Sequence, residues 1–114
     1  MLQQAEVVFD VRQLRNVCME DSELMKELVT ALIDDVAQHI PAIQDAIECS
    51  DGSICARLAH YVKGACANVG AVSMAARLQQ MELSAKSQDF AACSSSLAQL
   101  RQELQKFSSQ AATL

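Results

Sequence analysis

Four residues in one short run have the types and spacing for phosphoryl chemistry. They are His60, Lys63, Gly64 and Gly70, in Leu58-Ala59-His60-Tyr61-Val62-Lys63-Gly64-Ala65-Cys66-Ala67-Asn68-Val69-Gly70. On a helix, residues three and four apart are neighbours, so Lys63 and Gly64 both flank the imidazole. A neutral imidazole is a competent nucleophile near neutral pH. Phosphoryl transfer asks the protein for in-line positioning and charge neutralisation more than for covalent work. Here a nucleophile has a cation within reach of whatever it carries, and a missing side chain beside it leaves room for that cargo.

Helix phase decides whether this histidine is core or surface. At about 100° per residue, Leu58, Val62, Ala65 and Val69 fall within a narrow apolar arc. That arc must face the interior. His60 lies nearly opposite, grouped with Ala56, Lys63, Gly64 and Ala67. The ring is therefore expected in water, among small side chains that a bulky partner can approach. His39 has no lysine or glycine at those offsets and reads as structural or exposed.

The elements that position this face are helical throughout. Asp10 is placed to cap a short helix carrying Val11, Leu14 and Val17. Asp21 or Ser22 can cap the next, whose stripe is Leu24, Leu28, Leu32, Val36, Ile40, Ile43 and Ile47, with a kink or restart expected at Pro41. Ser50-Asp51-Gly52-Ser53 is a turn. The His60 helix then runs from about Ser53 to Val69, and Gly70 is the left-handed residue that ends it. Ser73 can cap a helix with Met74, Leu78, Met81 and Ala85 inward. After Ser87-Gln88-Asp89, a last helix carries Phe90, Cys93, Leu97, Leu100, Leu104 and Phe107. Such short breaks make successive helices antiparallel neighbours. The expected fold is all-α: an up-down-up-down four-helix bundle over 9–107 with a short N-terminal lid helix, an extension at 1–8 and a frayed tail at 108–114.

Composition removes several classes of function. The chain has 114 residues, one Pro, three Gly and a formal charge of −5 at pH 7. This size suits one domain and leaves no room for a nucleotide-binding module. The acidic balance argues against nucleic acid or an anionic membrane surface as partner. No apolar run approaches the roughly 18 residues of a membrane span, and the N-terminus lacks the basic start and apolar stretch of a secretory signal. The five cysteines, Cys18, Cys49, Cys55, Cys66 and Cys93, are scattered, with no pair at CxxC spacing. They read as reduced thiols of a cytoplasmic protein, and no zinc or other metal site is expected.

The pattern H-x-x-K-G-x-x-x-x-x-G from His60 to Gly70 resembles the histidine-containing phosphotransfer (HPt) domain of phosphorelays. The likeness runs from Phe9-Asp10 through Asp34, Asp35 and Pro41 to about Phe107. It implies that His60 is phosphorylated and that Lys63 stabilises the phosphoryl oxygens. Gly64 is then the residue that leaves clearance, and Gly70 is structural. It also implies a hydrogen-bonding partner for the imidazole, either Glu82 or Gln79, one turn earlier. Lys86 resembles a basic position of some members, and with Arg57 and Ala67 it is expected on the partner-binding face. The implied partners are receiver domains of hybrid histidine kinases and response regulators, met by a monomer. The implied protein is a phosphoryl carrier with no cofactor of its own, the Mg²⁺ belonging to the partner receiver. Autokinase activity is not expected, since the chain has no glycine-rich ATP loop. The alternative is a non-catalytic docking bundle that binds a receiver or response regulator.

Overall fold

A computed structural model describes residues 7–114, and among them every regular element is helical. Five helices follow in order: α1 (Val11–Val17), α2 (Ser22–Glu48), α3 (Gly52–Val69), α4 (Val72–Lys86) and α5 (Phe90–Ala111). Helices α2 to α5 form the antiparallel up-down-up-down bundle, in which α3 packs most extensively on α4. α1 lies against α3 and α2, and the Gln13 side-chain amide donates to the Ala67 carbonyl near the end of α3 at 2.6 Å. The first part of the expected extension, residues 1–6, lies outside the described residues.

Aspartates start four of the five helices. Asp10, Asp21, Asp51 and Asp89 each accept from a backbone N–H in the first turn that follows, satisfying amides that have no partner within the helix. α4 differs. Its cap is Ala71, with no side-chain bond, and Ser73 is not the cap that its type suggested. Ser73 is instead fully buried and donates to Glu103 Oε2 on α5 at 2.5 Å. The tight entry into α4 explains the change: Gly70 has φ +84°, Asp10 N–H donates to its carbonyl at 2.8 Å, and Val72 N–H reaches the Val8 carbonyl at 3.1 Å.

Three further expectations are corrected. α2 continues through Pro41 as one helix, without the restart expected there. The proline is exposed, as is Ala37 four residues earlier, so water can serve the carbonyl left without its donor. The core line of α2 is Met25, Val29, Leu32, Val36, Ile43, Ala46 and Ile47. Leu24 is exposed, while Leu28 and Ile40 are only partly buried. A row of i, i+4 steps drifts about 40° per step around the helix, so the buried line must step back by i+3. Finally, α5 runs past Phe107 to Ala111, and Leu114 packs against the core. Phe107 packs against Phe9 with the rings tilted at 58° and 4.7 Å between centroids, which ties the end of the bundle to the segment before α1.

Candidate functional site

α3 offers His60 to solvent. Its neighbours inside are Cys55, Ala59, Val62, Cys66 and Val69, all buried, while His60, Gly64 and Ala67 are exposed. Ala56 departs from the expected outer group and is buried. α3 packs on α4 along this side, and Ala56 and Ala85 are both buried. The exposures order the site: the His60 side chain is 69% exposed, Lys86 63%, Lys63 24% and Glu82 9%.

Glu82, on α4, is the hub. Its Oε1 and Oε2 lie 3.3 and 3.2 Å from His60 Nδ1. Lys63 Nζ donates to Oε1 at 2.7 Å, and Lys86 Nζ lies 3.2 Å from Oε2. Hydrogen bonding from Lys63, then from Lys86 and His60, outweighs the opposing effect of burial and brings the carboxyl from 4.5 down to about 2. An ionised carboxylate only accepts, so the proton of a neutral His60 ring sits on Nδ1 and the lone pair on Nε2. The buried edge of the ring is thereby fixed, and the exposed edge carries the free lone pair.

Glu82 and Gln79 were equal candidates for the imidazole contact. The structure separates them: Glu82 takes the ring, and Gln79 Oε1 accepts from Lys63 Nζ at 2.7 Å. Lys63 is thus stretched between two acceptors on α4, one turn from His60. Gly64 lies in the middle of α3, where glycine costs roughly 1 kcal/mol relative to alanine. A Cβ there would meet no atom within 4 Å, so no contact inside the protein accounts for the missing side chain. Gly70 is different, since a Cβ on it would come 2.5 Å from the Asp10 carbonyl oxygen. Arg57 and Lys86 are exposed at the rim.

One cluster beside the site escaped the sequence reading. Tyr61 donates its hydroxyl to Asp35 Oδ2 at 3.3 Å and faces the His39 ring at 5.0 Å. His39 Nδ1 lies 2.8 Å from the Asp35 carbonyl oxygen and 3.2 Å from Oδ1. The i, i+4 spacing of Asp35 and His39 was the available signal for that pair; Tyr61 joins it only through tertiary packing. Among the described residues, no helix is long and apolar enough to cross a membrane.

The structure thus presents a surface imidazole held by a buried carboxylate on a four-helix bundle. The Hpt domain family matches residues 27–110, and the chain belongs to that family. It is a histidine phosphotransfer protein of the phosphorelay type, a class whose partners are receiver domains. Among solved structures, the chain is similar to histidine-containing phosphotransfer protein B from Pseudomonas aeruginosa PAO1. The TM-score is 0.83 at 19% identity, over 96% of this chain and 99% of that one. No curated protein matches the sequence.

Proposed function

We propose that His60 is the residue that carries the phosphoryl group, taken from an aspartyl phosphate on one receiver domain and handed to another. The observation that carries this reading is the divided imidazole, with Nδ1 held by Glu82 and the rest of the ring in solvent. In the forward step the Nε2 lone pair attacks phosphorus, and the P–O bond to the aspartate breaks. The electron pair leaves with the carboxylate oxygen. No proton need leave Nε2, and the Nδ1 proton stays against Glu82. Lys63 neutralises the arriving oxygens through a charge-assisted hydrogen bond. Gly64 keeps the approach clear, while Arg57, Ala67 and Lys86 face the partner.

The partners in this reading are receivers of hybrid kinases and response regulators, whose own Mg²⁺ serves the reaction; this chain adds no cofactor. It acts as a monomer in the cytoplasm and does not phosphorylate itself from ATP. Incubation with a phosphorylated receiver tests the assignment. The expected product is an acid-labile phosphate on His60 that is lost in His60→Gln. Undiminished labelling of that variant would refute the reading, and unchanged signalling output with His60→Ala would favour a docking bundle instead.

A further inference from the structure

Both oxygens of Glu82 are shared, and the sharing is unequal in kind. Oε1 holds Lys63 at 2.7 Å, a side chain mostly withdrawn from solvent and held a second time by Gln79. Oε2, the closer oxygen to His60 Nδ1 at 3.2 Å, is also the one that Lys86 reaches at 3.2 Å. An exposed lysine from one turn along α4 therefore shares the carboxylate with the imidazole N–H, which lies 3.3 Å from Oε1 as well, and draws on the same negative charge. We infer that Lys86 is a positioning residue acting through Glu82, which sets how firmly the phosphorylated imidazole keeps its Nδ1 proton and so how readily it gives up its cargo.

The inference rests on His60 as the phosphoryl carrier and adds a control on that site. When the N–P bond breaks, its electron pair returns to Nε2. If Nδ1 is still protonated the ring departs as neutral imidazole, a good leaving group; if Nδ1 is bare it must depart as imidazolate, a poor one. A carboxylate facing Nδ1 favours the protonated ring, and a cation drawn onto that carboxylate weakens the preference. The titratable and charged groups facing Glu82 are His60 and Lys63 from α3 and Lys86 from α4 itself. From α5, the Cys93 thiol reaches the Met81 carbonyl and is kept neutral by burial. The α5 carboxylate of Glu103 is engaged by Ser73, about two and a half turns before Glu82.

The test uses the full chain and needs no partner. Phosphoramidate, a small phosphoryl donor, loads His60, and phosphohistidine loss is followed by ³¹P NMR across pH. Lys86→Met keeps the stem and removes the charge. It is expected to move the lability profile to higher pH by about half a unit, which is roughly threefold faster loss on the alkaline side. Lys86→Arg should restore the native profile. In a Glu82→Gln background the Lys86→Met displacement should fall by at least half, because the carboxylate that transmits it is gone. An unmoved profile in Lys86→Met, or an equal displacement in both backgrounds, would overturn the inference. Failure of phosphoramidate to label His60 in the native protein would instead sink the carrier assignment, so the two failures are distinct.

Discussion

Substituting Gly64 should separate what the fold wants from what the reaction wants. The residue sits inside α3 away from the left-handed region, and a Cβ would touch nothing within 4 Å. Gly64→Ala therefore gains helix propensity with no clash, a stabilisation of about 0.8–1 kcal/mol. For a domain of this size that raises Tm by about 3–6 °C. The same methyl projects from the exposed side of α3, one turn from the imidazole, where on the proposed function a receiver brings its aspartyl phosphate into line. Displacing reacting groups by even about 1 Å can cost up to a hundredfold. Gly64→Ala should accordingly slow transfer from a receiver by about threefold or more, and Gly64→Leu by at least about tenfold.

Thermal melts followed by circular dichroism give the first quantity, and the time course of label appearing from a phosphorylated receiver gives the second. Labelling by phosphoramidate is the control. A small donor does not need the clearance, so its rate should stay near native in both variants. Native-rate transfer from the receiver to Gly64→Leu would refute the steric argument outright. A lower Tm for Gly64→Ala would show that packing, not propensity, governs the position.

Other consequences follow from single residues. Gly70→Ala combines φ +84° with a Cβ placed 2.5 Å from the Asp10 carbonyl oxygen, and should destabilise the fold by about 2 kcal/mol or more in urea denaturation. Glu82 titrates near 2 in the folded protein against an ordinary 4.5, so its contribution is fully present above about 4.5 and is lost as pH falls toward 2. Glu82→Gln should flatten the stability profile in that acid window, as measured by denaturation at a series of pH values. Of the five thiols only Cys49 is exposed, and burial pushes Cys55 and Cys66 up to about 12. A disulfide reagent should modify one cysteine in the native protein at pH 8 and five after unfolding.

The bundle was legible because its signals are local and repeated. Aspartate caps, a helix-ending glycine and apolar residues at helical spacing agree with one another from Asp10 to Phe107. The errors fall where tertiary contacts override local type. Ser73 looks like a cap until Glu103 on another helix offers it a buried acceptor. Ala56 belongs to the outer face by phase alone, but in the packed bundle it is buried. Pro41 does not end α2, in a stretch where both it and Ala37 are exposed to water. Within the site, His60, Lys63 and Gly64 follow from spacing. The division of labour between Glu82 and Gln79 does not, because both lie on α4 and the separation depends on how α4 is rotated against α3.

On the proposed function, the charge count of the site accounts for two lysines around one carboxylate. Before phosphorylation, Glu82 contributes one negative charge and Lys63 and Lys86 two positive ones, leaving the neutral imidazole beside a net charge of +1. A phosphoryl group brings close to −2, and the ring that bears it gains +1 by retaining its Nδ1 proton. The loaded site is then near neutral. A site with more positive charge would hold the group too strongly to release it, while one without Lys63 would sit near −1 when loaded and hold the group too weakly to take it up readily. Near-neutrality in the loaded state matches the task of a carrier, which must accept from one aspartate and yield to another without a large free-energy difference between them. Lys63→Met should therefore impair loading from a receiver more than it impairs unloading, and comparing the two transfer rates for one receiver would show whether that asymmetry exists.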